Sequence, residues 1–137
     1  MTVRAFLLGL CVVLVAAGTA TAGVISFRMP SKNIECAEFP DARPTLRCDI
    51  RGGLKPLPPK PASCEFDWGA GFIMGRRGRA QVSCVSDSIH DPSPRALRYG
   101  TTWRRDGFVC RSDRAGLRCR NAGGHGFFLS REHSYWF

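Results

Sequence analysis

Apolar and polar residues alternate along this chain in short runs, and nowhere do apolar residues recur at the i, i+3, i+4 spacing of a long helix. Leu46-Arg47-Cys48-Asp49-Ile50 is the clearest run. In a strand, Leu46, Cys48 and Ile50 face inward while Arg47 and Asp49 face water. Similar runs are Val24–Phe27, Asn33–Cys36, Ala80–Val85, Gly107–Cys110, Gly116–Cys119 and Gly126–Ser130. Glycine (15 residues) and proline (9) punctuate them, as turn formers between strands do. The aromatic stretch Ser134-Tyr135-Trp136-Phe137 would be costly to leave in water and reads as a last strand. The pattern predicts a mainly β fold, a small sandwich or barrel of short hairpins.

Two of these hairpins carry cysteines at matching steps. Arg111-Ser112-Asp113-Arg114-Ala115-Gly116 joins the runs around Cys110 and Cys119, and Pro40-Asp41-Ala42-Arg43-Pro44 does the same between Cys36 and Cys48. Asn33-Ile34-Glu35-Cys36…Leu46-Arg47-Cys48-Asp49 and Gly107-Phe108-Val109-Cys110…Leu117-Arg118-Cys119-Arg120 form a weak internal repeat. Local pairing, Cys36 with Cys48 and Cys110 with Cys119, follows; Cys64 with Cys84 is left by elimination, among 15 formal connectivities. Between the first hairpin and Cys64 lies Lys55-Pro56-Leu57-Pro58-Pro59-Lys60-Pro61, which favours polyproline II and a stiff, extended connector.

Disulfides are expected because the chain opens like an export signal. Arg4 supplies a positive start, Phe6 to Val15 an apolar core, and Ala20-Thr21-Ala22 a small-residue cleavage site. The predicted organisation is a signal peptide over 1–22 and a single disulfide-rich domain over 23–137. Cys11 leaves with the leader. The apolar core is shorter than the ~20 residues a bilayer span needs, and no later segment is long or apolar enough. The expected location is the periplasm or the medium. Each bridge should stabilise so small a domain by about 3 kcal/mol.

The quoted motifs, in order, are Pro30-Ser31-x-Asn33-Ile34-x-Cys36, Arg47-Cys48-Asp49-Ile50, Cys64-x-x-Asp67-Trp68-Gly69, Tyr99-Gly100, Gly107-Phe108-x-Cys110-x-Ser112, Gly116-x-x-Cys119-x-Asn121 and Gly124-His125-Gly126-Phe127-x-Leu129-Ser130-Arg131. Together they resemble an uncharacterised family of small secreted bacterial proteins, a domain of unknown function. The likeness runs from Phe27 to Phe137. Lys32 departs from it, standing where the family more often has the glycine of a Ser-Gly-Asn turn. The resemblance implies export, a bacterial source and one domain; it carries no activity.

Charge changes the picture of partners. The chain has 20 Lys+Arg against 11 Asp+Glu, a formal net charge of +9, and +8 once Arg4 is gone. The excess is arginine, dense at Arg76-Arg77-Gly78-Arg79, at Arg104-Arg105 and across Arg111, Arg114, Arg118 and Arg120. Such a surface suits an anionic partner, here an envelope polymer or an acidic protein; nucleic acid is not the expected partner. Trp103, Arg104, Arg105, Arg76, Arg77 and Arg79 are the candidate binding residues, with Trp68 expected to fill the core beside the disulfides.

Candidate chemistry is thin. His125 lies between glycines, with Arg131 and His133 following. Two histidines and an arginine could serve a phosphodiester as base, acid and charge stabiliser, so a small hydrolase or nuclease is the alternative. An inhibitor of a secreted enzyme is the third reading. No C-x-x-C or H-x-x-x-H spacing offers a metal site, no G-x-S-x-G offers a nucleophile elbow, and no phosphate loop is present, so neither metal nor cofactor is expected. The leading expectation is a non-enzymatic binding or structural role.

Overall fold

The computed structural model describes residues 23–137; the leader predicted over 1–22 lies outside them. The strands are β1 (Ile25–Arg28), β2 (Ile34–Phe39), β3 (Thr45–Ile50), β4 (Asp67–Gly75), β5 (Gln81–Val85), β6 (Arg95–Ala96), β7 (Thr102–Arg105), β8 (Phe108–Asp113), β9 (Gly116–Arg120), β10 (Gly126–Leu129) and β11 (Ser134–Trp136). No helix occurs among the described residues. The strands form two sheets, ordered β5-β4-β3-β2-β1-β6 and β11-β10-β9-β8-β7. Neighbours are antiparallel except β1 and β6. Each sheet is thus a five-strand meander, and the first gains β6 at its far edge.

The two meanders repeat one plan, and the cysteines mark its register. In the first sheet a row of opposed residues runs Phe27, Cys36, Cys48, Phe72, Val82. In the second it runs Trp103, Cys110, Cys119, Phe127, Trp136. Cys36–Cys48 and Cys110–Cys119 bond directly across their hairpins, each with Cα atoms 4.1 Å apart. Both bridges are wholly buried. The two rows face each other. Phe27 and Trp103 have ring centroids 4.9 Å apart, and Phe72 and Phe127 5.3 Å. One core holds both disulfides between aromatic rings, with Ile34, Leu46, Phe108, Leu117 and Leu129 around them. This is a disulfide-stapled sandwich, and all three predicted pairings are present, Cys64–Cys84 with Cα atoms 5.9 Å apart. Disulfides persist in oxidising, extracytoplasmic compartments, to which the folded chain therefore points. Among the described residues no helix is long and apolar enough to cross a membrane.

The repeat is more extensive in space than in the runs read from sequence. Leu-Arg-Cys at 46–48 and at 117–119 is followed in both copies by Gly-Gly, at 52–53 and 123–124, and then by Gly-Phe at 71–72 and 126–127. Gly71 and Gly126 answer the same need. A Cβ on Gly71 would run into the carbonyl oxygen of Cys48, and one on Gly126 into that of Cys119. The stapled strand lies too close for any side chain there.

Four expectations are changed by packing. The longest strand, β4, is missing from the predicted runs, because Asp67-Trp68-Gly69-Ala70-Gly71 is rich in residues that strands disfavour; its register shifts between Trp68 and Phe72. Arg47, expected in water, is only 3% exposed. Residues 55–61 do not stand free as a connector. Lys55 N donates to Ser134 Oγ (2.8 Å), and Trp68 Nε1 donates to Pro58 O (2.8 Å), so the segment lies against both sheets. Trp68 is accordingly half-buried over the prolines rather than central. Lys32, where the resemblance implies glycine, has φ 57°, the left-handed region that glycine enters freely.

Arg47 is covered because β5 and β6 lie at opposite edges of the first sheet. The chain between them, Ser86–Pro94, must cross that sheet's outer face. Arg47 donates to Asp87 Oδ1 (2.7 Å), to Asp87 O (3.0 Å) and, through two nitrogens, to Asp49 (3.0 and 2.7 Å). Glu35 accepts from Asp91 N (2.6 Å) and meets His90 Nδ1 (3.3 Å). Burial by itself would lower the Arg47 pKa, but the Asp49 and Asp87 bonds prevail and raise it; Arg47 in turn lowers that of Asp87.

Candidate functional site

The outer face of the second sheet has no such strap among the described residues. Alternation decides what stands on it. Cys110, Leu117, Cys119, Phe127 and Leu129 point inward, so their neighbours point out. One outward row is Thr102, Arg111, Arg118, Phe128, Tyr135. The next is Arg104, Val109, Arg120, Gly126, continued by Phe137, which exchanges both backbone hydrogen bonds with Gly126 (2.9 Å each). Four arginines therefore occupy one end of a flat face and aromatic rings the other.

Arg111 and Arg118 are directly opposed across β8 and β9. Like charges opposed in this way destabilise a sheet. Asp113 relieves Arg111 alone, at 3.1 Å. Among the described residues, no carboxylate pairs with Arg104, Arg118 or Arg120. Arg118 is held in place by rings instead. Its guanidinium carbon lies 3.9 Å from the Phe137 centroid, a cation–π contact, and Nη1 donates to Tyr135 Oη at 3.2 Å. Tyr135 stacks on Phe128 (5.3 Å) and on His133 (5.9 Å, planes 7° apart) and stays 42% exposed. Arginine with its charge presented and its plane fixed is suited to forked binding of carboxylate or phosphate.

The structure separates the residues that the sequence grouped. Arg104 stands on this face. Trp103, next to it, points the other way into the core against Phe27. Arg105 also points inward, with Nε 3.1 Å from Oε2 of the fully buried Glu38 and 3.3 Å from Asp106. Arg76, Arg77 and Arg79 are exposed on the β4–β5 turn and not on a strand of this sheet; Ala122 N donates to Arg76 O (3.1 Å), so the turn abuts one end of the sheet. That turn is tied to the β9–β10 turn by Asn121. Its buried side chain donates to Gly75 O (3.0 Å) and Gly78 O (2.8 Å) and accepts from Gly123 N (3.0 Å) and His125 N (3.1 Å). His125 thus owes its place to a turn built by Asn121.

His125 and His133 flank β10 at opposite ends. A strand rises ~3.3 Å per residue, so roughly 15 Å lies between them, far beyond what two groups acting on one bond require. Arg131 and His133 belong to the β10–β11 turn, where His133 N donates to Ser130 Oγ (3.1 Å). No group of three or more His, Cys, Asp or Glu residues that could hold a metal occurs among the described residues.

A concavity of about 570 Å³ lies at the Cys64–Cys84 bridge. Trp68, Trp136, Pro58, Pro59 and Pro61 wall it. It is apolar, and the sequence carries no signal for it, because its walls come from the connector, β4, β5 and β11.

The residues that sequence reasoning leaves out of the site are Arg111, Arg118, Arg120, Tyr135 and Phe137. The dense arginine run was visible; its sharing of one face with the aromatic end depends on the β9–β10–β11 pairing.

No curated protein and no solved structure shows a significant match to the chain. A family model does match, over residues 6–137, and spans every strand and all six cysteines of the fold described above. The chain belongs to that family, a family of unknown function designated DUF6636.

Proposed function

We propose that this is a non-enzymatic binding protein, exported to the periplasm, cell envelope or medium, whose second sheet engages an anionic partner through its outer face. One observation carries the reading: Arg111 opposes Arg118 across two strands, with Arg104 and Arg120 on the adjacent row and Asp113 as the one carboxylate among the described residues paired with any of the four. A sheet selected for stability alone would place opposite charges there. The two histidines, at the two ends of β10, give no support to the hydrolase alternative.

The test is binding of two anionic probes, oligoglutamate and heparin, by calorimetry at low and moderate salt. A face variant, R104Q/R118Q/R120Q, is compared with a turn variant, R76Q/R77Q/R79Q. Loss of salt-sensitive binding in the face variant alone, with thermal stability kept, supports the reading. Loss in the turn variant alone would move the site to the β4–β5 turn.

A further inference from the structure

The internal repeat allows each outward position of the second sheet to be compared with its counterpart in the first. Arg47 and Arg118 are the same step, the arginine of Leu-Arg-Cys, on the third strand of each meander. Both point away from the core. Their surroundings differ. Arg47 lies beneath the strap, bonded to the side chain and the carbonyl of Asp87. Arg118 lies open beside Tyr135 and Phe137.

The remaining counterparts show what the strap requires of its sheet. The pair Glu35–Asp49 of the first sheet corresponds to Val109–Arg120 in the second, and Ala37–Arg47 to Arg111–Arg118. The first face therefore holds two carboxylates and one arginine, and its strap answers with both kinds of group: Asp87 to the arginine, His90 and the Asp91 amide to Glu35. The second face holds three arginines at the same four positions and no carboxylate. Whatever lies there must be richer in carboxylates than Ser86–Pro94, which carries two.

We propose that the open face of the second sheet takes an extended, acidic peptide segment of a partner protein, laid across the strands as Ser86–Pro94 is laid across the first sheet. The proposal rests on the anionic reading above and narrows it to one class. Arg118 is the counterpart of the strap's anchor and receives a carboxylate; Arg111 and Arg120 receive the next ones along the segment. The stacked rings of Phe128, His133 and Tyr135 receive an apolar or proline residue at its end. A peptide is favoured over a phosphate polymer because the equivalent face of this same protein already binds a peptide. It does so through a carboxylate, a backbone carbonyl and a backbone amide.

The experiment uses the oxidised protein, labelled for amide and arginine Nε–H detection by NMR, and two probes of similar charge, a short oligoglutamate and inorganic polyphosphate. Oligoglutamate is expected to shift the β7–β11 amides and the Nε–H groups of Arg111, Arg118 and Arg120, and to bind more tightly than polyphosphate. R118Q should weaken it about tenfold, as the loss of a charge-assisted pair implies, while R76Q leaves it unchanged. Shifts on this face with polyphosphate but not with oligoglutamate would overturn the peptide assignment and leave the anionic reading standing. Shifts on this face with neither probe would overturn both. R118Q binding oligoglutamate as well as the parent would overturn the equivalence of Arg118 with Arg47.

Discussion

Oε2 of Glu38 lies 3.1 Å from Nε of Arg105, a charge contact between the two sheets in which neither group is aligned for a hydrogen bond. Glu38 has no exposed surface. Burial raises its pKa above the ordinary 4.5, Asp106 raises it further, and Arg105 only partly opposes them. The folded state therefore binds this proton more tightly than the unfolded chain. Its contribution to stability is fully present below about pH 4.5 and is lost as pH rises through the folded value.

Glu38→Gln removes that titration. Urea unfolding across pH 4 to 8 should show a flatter stability profile than the parent above pH 4.5. At neutral pH the variant should be at least as stable, because an ionised, unaligned carboxylate no longer has to be buried. A loss of more than about 2 kcal/mol at pH 7 would mean that the Arg105 contact outweighs desolvation.

Asn121 uses all four of its polar positions to join two turns from different sheets. Asn121→Ala leaves buried backbone groups without partners, at about 1–3 kcal/mol for each one left unsatisfied. A total loss of about 2–4 kcal/mol is expected in denaturant unfolding. Asn121→Asp keeps the acceptor but sets a buried carboxylate oxygen against the Gly75 and Gly78 carbonyls, so it should also fall well below the parent. Equal stability of all three would deny the side chain its connecting role.

Arg47 and Arg118 offer a paired comparison. Arg47→Met removes a buried partner from Asp49 and releases the strap, and should cost about 3 kcal/mol. Arg118→Met, on an open face, should change stability by no more than about 0.5 kcal/mol. Equal effects in thermal unfolding would contradict the difference in cover between the two faces.

The three bridges should not be equally open to reductant. Cys36–Cys48 and Cys110–Cys119 are wholly buried, whereas Cys84 is half-exposed in the wall of the Trp68–Trp136 concavity. Thiol exchange needs access to sulfur. Under native conditions with mild reductant, alkylation should label Cys64 and Cys84 first. Early label at Cys110 or Cys119 would contradict the buried placement.

Much of the fold is legible in sequence because alternation and hairpin turns are local. Cys110 and Cys119 flank a short turn, and their strands alternate, so pairing and register follow together. β4 is not legible, because its glycines weaken the strand signal for a reason that lies elsewhere: Gly71 must clear the Cys48 carbonyl. Arg47 reads as a solvent residue, since nothing nearby announces a strap over it. The candidate site is legible in its parts and not in its arrangement. The compact run Arg76-Arg77-Gly78-Arg79 draws the eye, yet it occupies a turn. The larger cluster gathers Arg104, Arg111, Arg118 and Arg120 from three strands, and cross-strand register alone brings them together.

No disulfide joins the two meanders: Cys36–Cys48 joins β2 and β3, Cys64–Cys84 ties the segment before β4 to β5, and Cys110–Cys119 joins β8 and β9. Among the described residues, the only covalent tie between the two meanders is the chain that leaves β5, crosses as the strap and enters β7, and much of it is exposed. A single proteolytic cut there would turn the molecule into two chains held by non-covalent contacts: the shared core with its aromatic rows, the Asn121 bonds to the β4–β5 turn and the Lys55–Ser134 bond. Native gels would still show one species, and denaturing gels would show two without any reductant.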